Sequence, residues 1–121
     1  RHPALMRDLD AGLDAFFAAL DAAGKSQRAV VMTVSEFGRR PAENGSGTDH
    51  GTASCALVMG PVHTGLHGEP PSLTQLDDDD NLRATATFEA YYATLASNWF
   101  DVDTDAVLPR GTAVLDGVIA A

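Results

Sequence analysis

Apolar residues fall into three patterned blocks separated by polar stretches. In the first block Leu5, Leu9, Leu13, Phe16 and Leu20 recur at spacings of four, four, three and four. That is one face of a helix, and it predicts an amphipathic helix over residues 3–23. Pro3 suits its first turn and Gly24 its stop, with Lys25 at the negative end of the dipole. Asp8, Asp10, Asp14 and Asp21 lie mostly off the stripe and read as a solvated face. The second block, residues 29–35, is continuously apolar and β-branched without alternation, as in a strand covered on both faces of a parallel sheet. Residues 36–53 then read as a long polar loop, and residues 54–59 (SCALVM) as a second strand closed by Gly60-Pro61.

Residues 60–83 look irregular. They hold His63, His67, Pro70-Pro71 and the run Asp77 to Asp80, which lacks the spaced ligands and central glycine of a calcium loop and reads as a solvated turn. A second helix is expected from Thr85 or Thr87, either of which can cap it. Its apolar face would be Phe88, Tyr91, Tyr92, Leu95 and Trp99. Val107-Leu108-Pro109 and Val114-Leu115 suggest a short strand or packing strip in the tail.

These elements predict an α/β fold, but two or three strands make a thin sheet for so apolar a strand, and a two-stranded sheet is not stable alone. The expectation is a single domain over residues 1–121 that is a fragment of a larger α/β domain, or one that oligomerises to complete its sheet. A first residue of Arg rather than Met points the same way. At 121 residues, with 45% hydrophobic and 21% charged residues, the chain is globular rather than disordered. Its net charge of −9 and the absence of any basic cluster beyond Arg39-Arg40 argue against nucleic-acid binding. No apolar run reaches membrane-spanning length. The single cysteine, Cys55, excludes an internal disulfide framework and cysteine-rich zinc motifs.

Chemistry concentrates in the loop at residues 36–53, the position where parallel α/β proteins place their sites. It carries Glu36, Arg39, Arg40, Glu43, Asn44, Thr48, Asp49 and His50. Carboxylates with an imidazole suit a divalent metal such as zinc or manganese, and an adjacent Arg suits a phosphate or sulfate group. Asp49, a candidate metal residue with His50 and Glu36, need not ligate the same ion as His50 and could instead orient it. None of the hydroxyl and thiol candidates for a nucleophile, Ser35, Thr48, Ser54 and Cys55, sits in a recognisable activated setting.

The segments VVMTVSEFGRRPAENGSGTDHG and ALVMG, with the later YYATLASNWFDVD and VLP, resemble the C-terminal part of the uncharacterised "domain of unknown function 1501" family. The likeness runs from the helix at residues 3–23 to about Pro109, and SEFGR…NGSGTDHG is its specific part. Those proteins are similar in sequence pattern to the alkaline phosphatase and sulfatase superfamily. The resemblance implies a partial parallel-sheet α/β/α sandwich, hydrolysis or transfer of phosphate or sulfate esters at a two-metal centre, and export through a twin-arginine signal. It also implies that the nucleophile and several ligands lie upstream, so that the partner of this chain is the upstream part of the same polypeptide or a second copy.

Two registers carry the superfamily's ligands over. In one, Asp49-His50 is the Asp-His pair that follows a strand, and His63 or His67 is the later histidine. In the other, the pair falls on Glu36-Phe37 and His50 is the later histidine, as in the Gly-Thr-Asp-His stretch that phosphopentomutases share with this chain. The second fits better, because Glu36-Phe37 directly follows the apolar strand. It implies metal ligands at His50 and Glu36, with Asp49 supporting His50 and Arg39 contacting the anion. Phe37 cannot ligate, so the expected site is single-metal or altered. The functional expectation is a C-terminal segment of a metal-dependent hydrolase of phosphate or sulfate esters, inactive in isolation. The alternatives are a degenerate, non-catalytic binding domain of an exported protein and a purely structural or assembly piece.

Overall fold

The structure, a computed structural model, describes residues 2–120. The first helix, α1, spans His2–Ala22 and breaks at Gly24, whose φ of 64° lies in the left-handed region open to glycine. A short 3-10 turn at Ser26–Arg28 follows, fastened by a hydrogen bond from Ser26 Oγ to Asp21 Oδ1 (2.8 Å). The stripe that predicts α1 is real, but no residue of the helix is buried. Leu13, Phe17 and Leu20 are half-covered, whereas Leu5, Leu9 and Phe16 remain 49%, 40% and 46% exposed.

The apolar run at residues 29–35 yields only a two-residue strand, β1 (Val31–Met32). After it come β2 (Gly38–Glu43) and β3 (Thr48–Gly51), which form a hairpin, and then β4 (Val58–Met59). β1 pairs with β4 in antiparallel register, Val31 opposite Met59 and Met32 opposite Val58. The expected parallel sheet is therefore not what these strands build. Parallel pairing needs a crossover, usually a helix, whereas the segment between β1 and β4 turns back on itself through the hairpin. Beyond these pairs the Thr33 N–H donates to the Leu57 carbonyl (2.9 Å), while the Leu57 N–H turns to the Thr33 hydroxyl (2.8 Å). The loop expected at residues 36–53 is largely strand. Its turn carries Asn44-Gly45, the strongest short hairpin signal, and Gly45 has a φ of 84°.

The second helix, α2, spans Phe88–Asn98, and Thr87 caps it by accepting from the Ala90 N–H (3.1 Å). The face it buries keeps Leu95 of the expected one, with Tyr91 and Trp99 half-buried, but is centred on smaller residues. Ala90, Ala93, Thr94 and Leu95 are buried, while Phe88 and Tyr92 stay 51% and 38% exposed. The cause is the docking of the C-terminal tail. Thr94 donates to the Ala90 carbonyl (2.7 Å) and accepts from the Leu115 N–H (2.8 Å), which holds the tail against the small-residue face. Strand-like pairing of the tail falls at Val62 with Ile119, not at Val107–Pro109 or Val114–Leu115. His63 N–H to Val118 O (3.0 Å) and Ala120 N–H to Pro61 O (3.1 Å) flank it.

The core is small: Ala53, Leu82, Ala90, Ala93, Leu95, Val118 and Ile119, with buried Asn81 and Thr94. The chain exposes 8825 Å², against about 6200 Å² for a self-contained monomer of its mass. The Asp77–Asp80 run is a self-satisfied turn in which the Asp77 carboxylate accepts from the N–H groups of Asn81 (2.8 Å) and Asp79 (3.0 Å). Among the described residues no helix is long and apolar enough to cross a membrane.

Two predictions follow from these fastenings. The Tyr91 hydroxyl is shared between the Thr33 carbonyl (3.1 Å) and the Leu57 carbonyl (3.2 Å), tying α2 to the ends of β1 and β4. Tyr91→Phe is expected to lower stability by about 1 kcal/mol, read as a lower denaturant midpoint at an unchanged slope. The Asn81 N–H bond, aided by Asp79, the Asn81 side chain and the charge of Arg83, outweighs desolvation and lowers the Asp77 carboxyl below its ordinary 3.8. Its stabilising contribution is present above pH 3.8 and is lost as pH falls through the lower folded-state value. The gap in melting temperature between wild type and Asp77→Asn is therefore expected to be open at pH 5 and to narrow toward pH 2.

Candidate functional site: a glycine-locked hairpin with a stacked histidine

The SEFGR segment turns a corner and feeds β2. Ser35 Oγ donates to the Phe37 carbonyl (2.9 Å), which fixes the bend at Glu36 and the direction of Phe37. Gly38 is buried and pairs with Gly51 across the hairpin. A Cβ at Gly38 would collide with the Ala53 carbonyl, which also accepts from the Arg39 N–H (3.0 Å). A Cβ at Gly51 would lie 2.7 Å from the Arg39 carbonyl carbon. Both glycines are thus demanded by backbone contact, and they fix the register that places Arg39 directly opposite His50.

Beyond Arg39 the ladder breaks. The next pair is Glu43 with Thr48, so β2 carries extra residues between the pairs, a bulge around Pro41. Proline is tolerated there because it has no N–H to give to a ladder. Arg40 lies in this bulge, and its Nε is buried without a hydrogen-bond partner.

On the other face of the register, three side chains gather. The His50 imidazole stacks on the Phe37 ring at 3.7 Å between centroids and 14° between planes. The Arg39 guanidinium lies 5.1 Å from the same Phe37 centroid, within cation–π range. Arg39 Nη1 also donates to the Thr48 carbonyl (2.8 Å), which holds the guanidinium along the hairpin while the residue stays exposed. His50 is exposed as well.

Of the residues that the sequence singles out, Arg39 and His50 are brought together, with Phe37 between them in role. Asp49 is not brought to His50. Successive residues of a strand project to opposite faces, and the Asp49 carboxylate accepts instead from Asn44 Nδ2 (2.7 Å), bracing the turn. Glu36 is exposed on the bend, outside the stack. His67 Nε2 bonds the His63 carbonyl (2.9 Å) within a local exposed loop. Among the described residues no three His, Cys, Asp or Glu side chains are grouped so as to hold a metal ion. What the stack does leave available is the in-plane lone pair of His50, because stacking occupies the ring face and not the nitrogens.

The residue that sequence reasoning undervalued is Phe37. The available signal was the hairpin itself: once Asn44-Gly45 is read as a turn, Phe37 and Arg39 fall two apart on one side of an extended segment, facing His50.

The fold and site therefore define a mixed α/β chain with an antiparallel hairpin that presents a guanidinium and an imidazole beside one aromatic ring. The chain belongs to the family described as "Protein of unknown function (DUF1501)", which it matches over residues 1–99, a span that includes α1, the hairpin and α2. No curated protein and no solved structure matches it.

The glycine lock gives a direct test. Gly38→Ala is expected to cost about 1–3 kcal/mol through overpacking against backbone that cannot rotate away, measured by chemical denaturation. The same variant is expected to lose the nuclear Overhauser contacts between the Phe37 and His50 rings. Native stability with the contacts intact would show that Ala53 yields.

Proposed function

We propose that this chain supplies an anion-contacting hairpin to a larger alkaline-phosphatase-like α/β domain that acts on phosphate or sulfate esters, and that it is inactive in isolation. The observation that carries this reading is the cross-strand pairing of Arg39 with His50 in an exposed position. A guanidinium and an imidazole side by side offer several N–H donors to one tetrahedral oxyanion. Asp49, the nearest acid in sequence, is held away by Asn44. The larger domain is supported by the exposed Leu5, Leu9 and Phe16 of α1 and by a surface well above that of a self-contained monomer. An excess of this size is comparable to what permanent interfaces bury. The upstream part of the same polypeptide is the proposed cover, with a second copy as the other choice, and the parallel sheet of the superfamily would be completed there.

In this reading a divalent ion, zinc or manganese, would take an in-plane nitrogen of His50 and the Glu36 carboxylate, with its other ligands supplied outside these residues. Its chemistry would be to polarise the ester and to stabilise charge on its oxygens. Export of the intact protein belongs to the same proposal. A second reading, a non-catalytic binding domain, is favoured by one observation: Phe37 stands where the superfamily pattern calls for a ligand, and it packs on His50 instead.

The test is titration of the 121-residue chain with inorganic phosphate and with sulfate at low ionic strength, followed by NMR. Binding is expected to weaken about tenfold in Arg39→Ala and in His50→Ala, the size of one charge-assisted hydrogen bond. Equal binding by the double variant would sink the reading. Zinc that shifts the His50 ring resonances favours the hydrolase; zinc that leaves them unmoved favours the binding domain. Neither an aryl phosphate nor an aryl sulfate should be turned over by this chain alone.

A further inference from the structure

The sequence pattern makes Phe37 a vacancy, a position where a ligand is missing. The geometry points to a different role: we propose that Phe37 is a positioning residue that holds the Arg39 guanidinium and the His50 imidazole for the same anion. This rests on the anion-site reading above and adds to it the group that organises the site.

Three observations converge. The Phe37 ring is in near-parallel contact with the His50 imidazole and within cation–π distance of the Arg39 guanidinium, so one side chain touches both proposed anion contacts. Phe37 is itself fixed from two sides, by Ser35 Oγ on its carbonyl and by the glycine pair that begins at Gly38. Arg39 is held at one end by its Nη1 bond to the Thr48 carbonyl, but both it and His50 are exposed, and long or rotatable side chains lose entropy when an anion orders them. A planar ring lowers that cost without competing for the anion. It uses the face of the imidazole, whose nitrogens lie at the ring edge, and meets the guanidinium at 5.1 Å between its carbon and the ring centroid. A second ligand at this position would draw His50 toward a metal; an aromatic ring keeps His50 beside Arg39.

The experiment compares wild type, Phe37→Leu and Phe37→Tyr in the full 121-residue chain, with inorganic phosphate as the probe. In wild type the His50 ring protons are expected upfield of their free-histidine positions, from the ring current of Phe37. Phe37→Leu is expected to abolish that displacement and to weaken phosphate binding about two- to fivefold, at an unchanged melting temperature. Phe37→Tyr is expected to retain both. A merely structural role for Phe37 would move the melting temperature and leave the phosphate affinity of the folded chain unchanged. The proposal is overturned if Phe37→Leu binds phosphate as tightly as wild type, or if the wild-type His50 ring protons are not displaced. Should Phe37→Leu fail to fold, the wild-type displacement and the affinity of Phe37→Tyr decide: an undisplaced His50, or a tyrosine variant that loses binding while folded, overturns it. Wild type that binds no phosphate overturns the anion-site reading and this role together, whereas wild type that binds with Phe37→Leu equal to it overturns this role alone.

Discussion

Everything distinctive in the chain depends on how closely two stretches of backbone approach each other at Gly38 and Gly51. The Arg39 N–H reaches the Ala53 carbonyl only because no Cβ stands between them. That contact sets the register of the hairpin, and the register sets Arg39 opposite His50. A shift of one residue would send the two side chains to opposite faces, since strand side chains alternate. The site is therefore a consequence of two residues that have no side chains.

Around this lock the structure uses local polar fastenings in place of a large core. Ser35 pins the bend, Asn44 and Asp49 brace the turn, Thr33 and Tyr91 tie β1 and β4 to α2, and Thr94 fastens the tail. Each such bond contributes about 1 kcal/mol, and together they hold the elements at the places that packing alone leaves open. The helix α1 is the counterpart: well formed along its length, yet with no buried residue. Its apolar face fits the view of the chain as one part of a larger assembly of secondary structure, which is also what the thin strand pairs β1–β4 and β2–β3 suggest.

The site changes in character when Phe37 is included. Viewed through a metal-ligand pattern, the segment Glu36-Phe37…Asp49-His50 is an incomplete centre. Viewed through its contacts, it is a cationic and imidazole pair ordered by an aromatic ring, with the neighbouring carboxylate tied elsewhere. The two descriptions differ in what His50 does with its ring face, which only the folded arrangement decides.

Local patterns in the sequence were sufficient for the two helices and narrowed the second cap to Thr85 or Thr87, because helical periodicity and capping depend on residues three and four apart. The same kind of local signal places Arg39 and His50 among the candidate residues and gives the Asp77 turn its solvated character. The sheet was not legible in this way. A short apolar run does not say whether its neighbour is parallel or antiparallel, and the Asn44-Gly45 turn decides that question from the far end of the hairpin. Leu95 of the apolar face of α2 was legible, but its centre at Thr94 was not, because Thr94 is fastened by a partner twenty-one residues away, Leu115. Family membership follows from the order of residues along the chain. The pairing of Arg39 with His50, the stack on Phe37 and the separation of Asp49 arise only when strands lie side by side, because each is a contact between residues that only the glycine-set register brings into line.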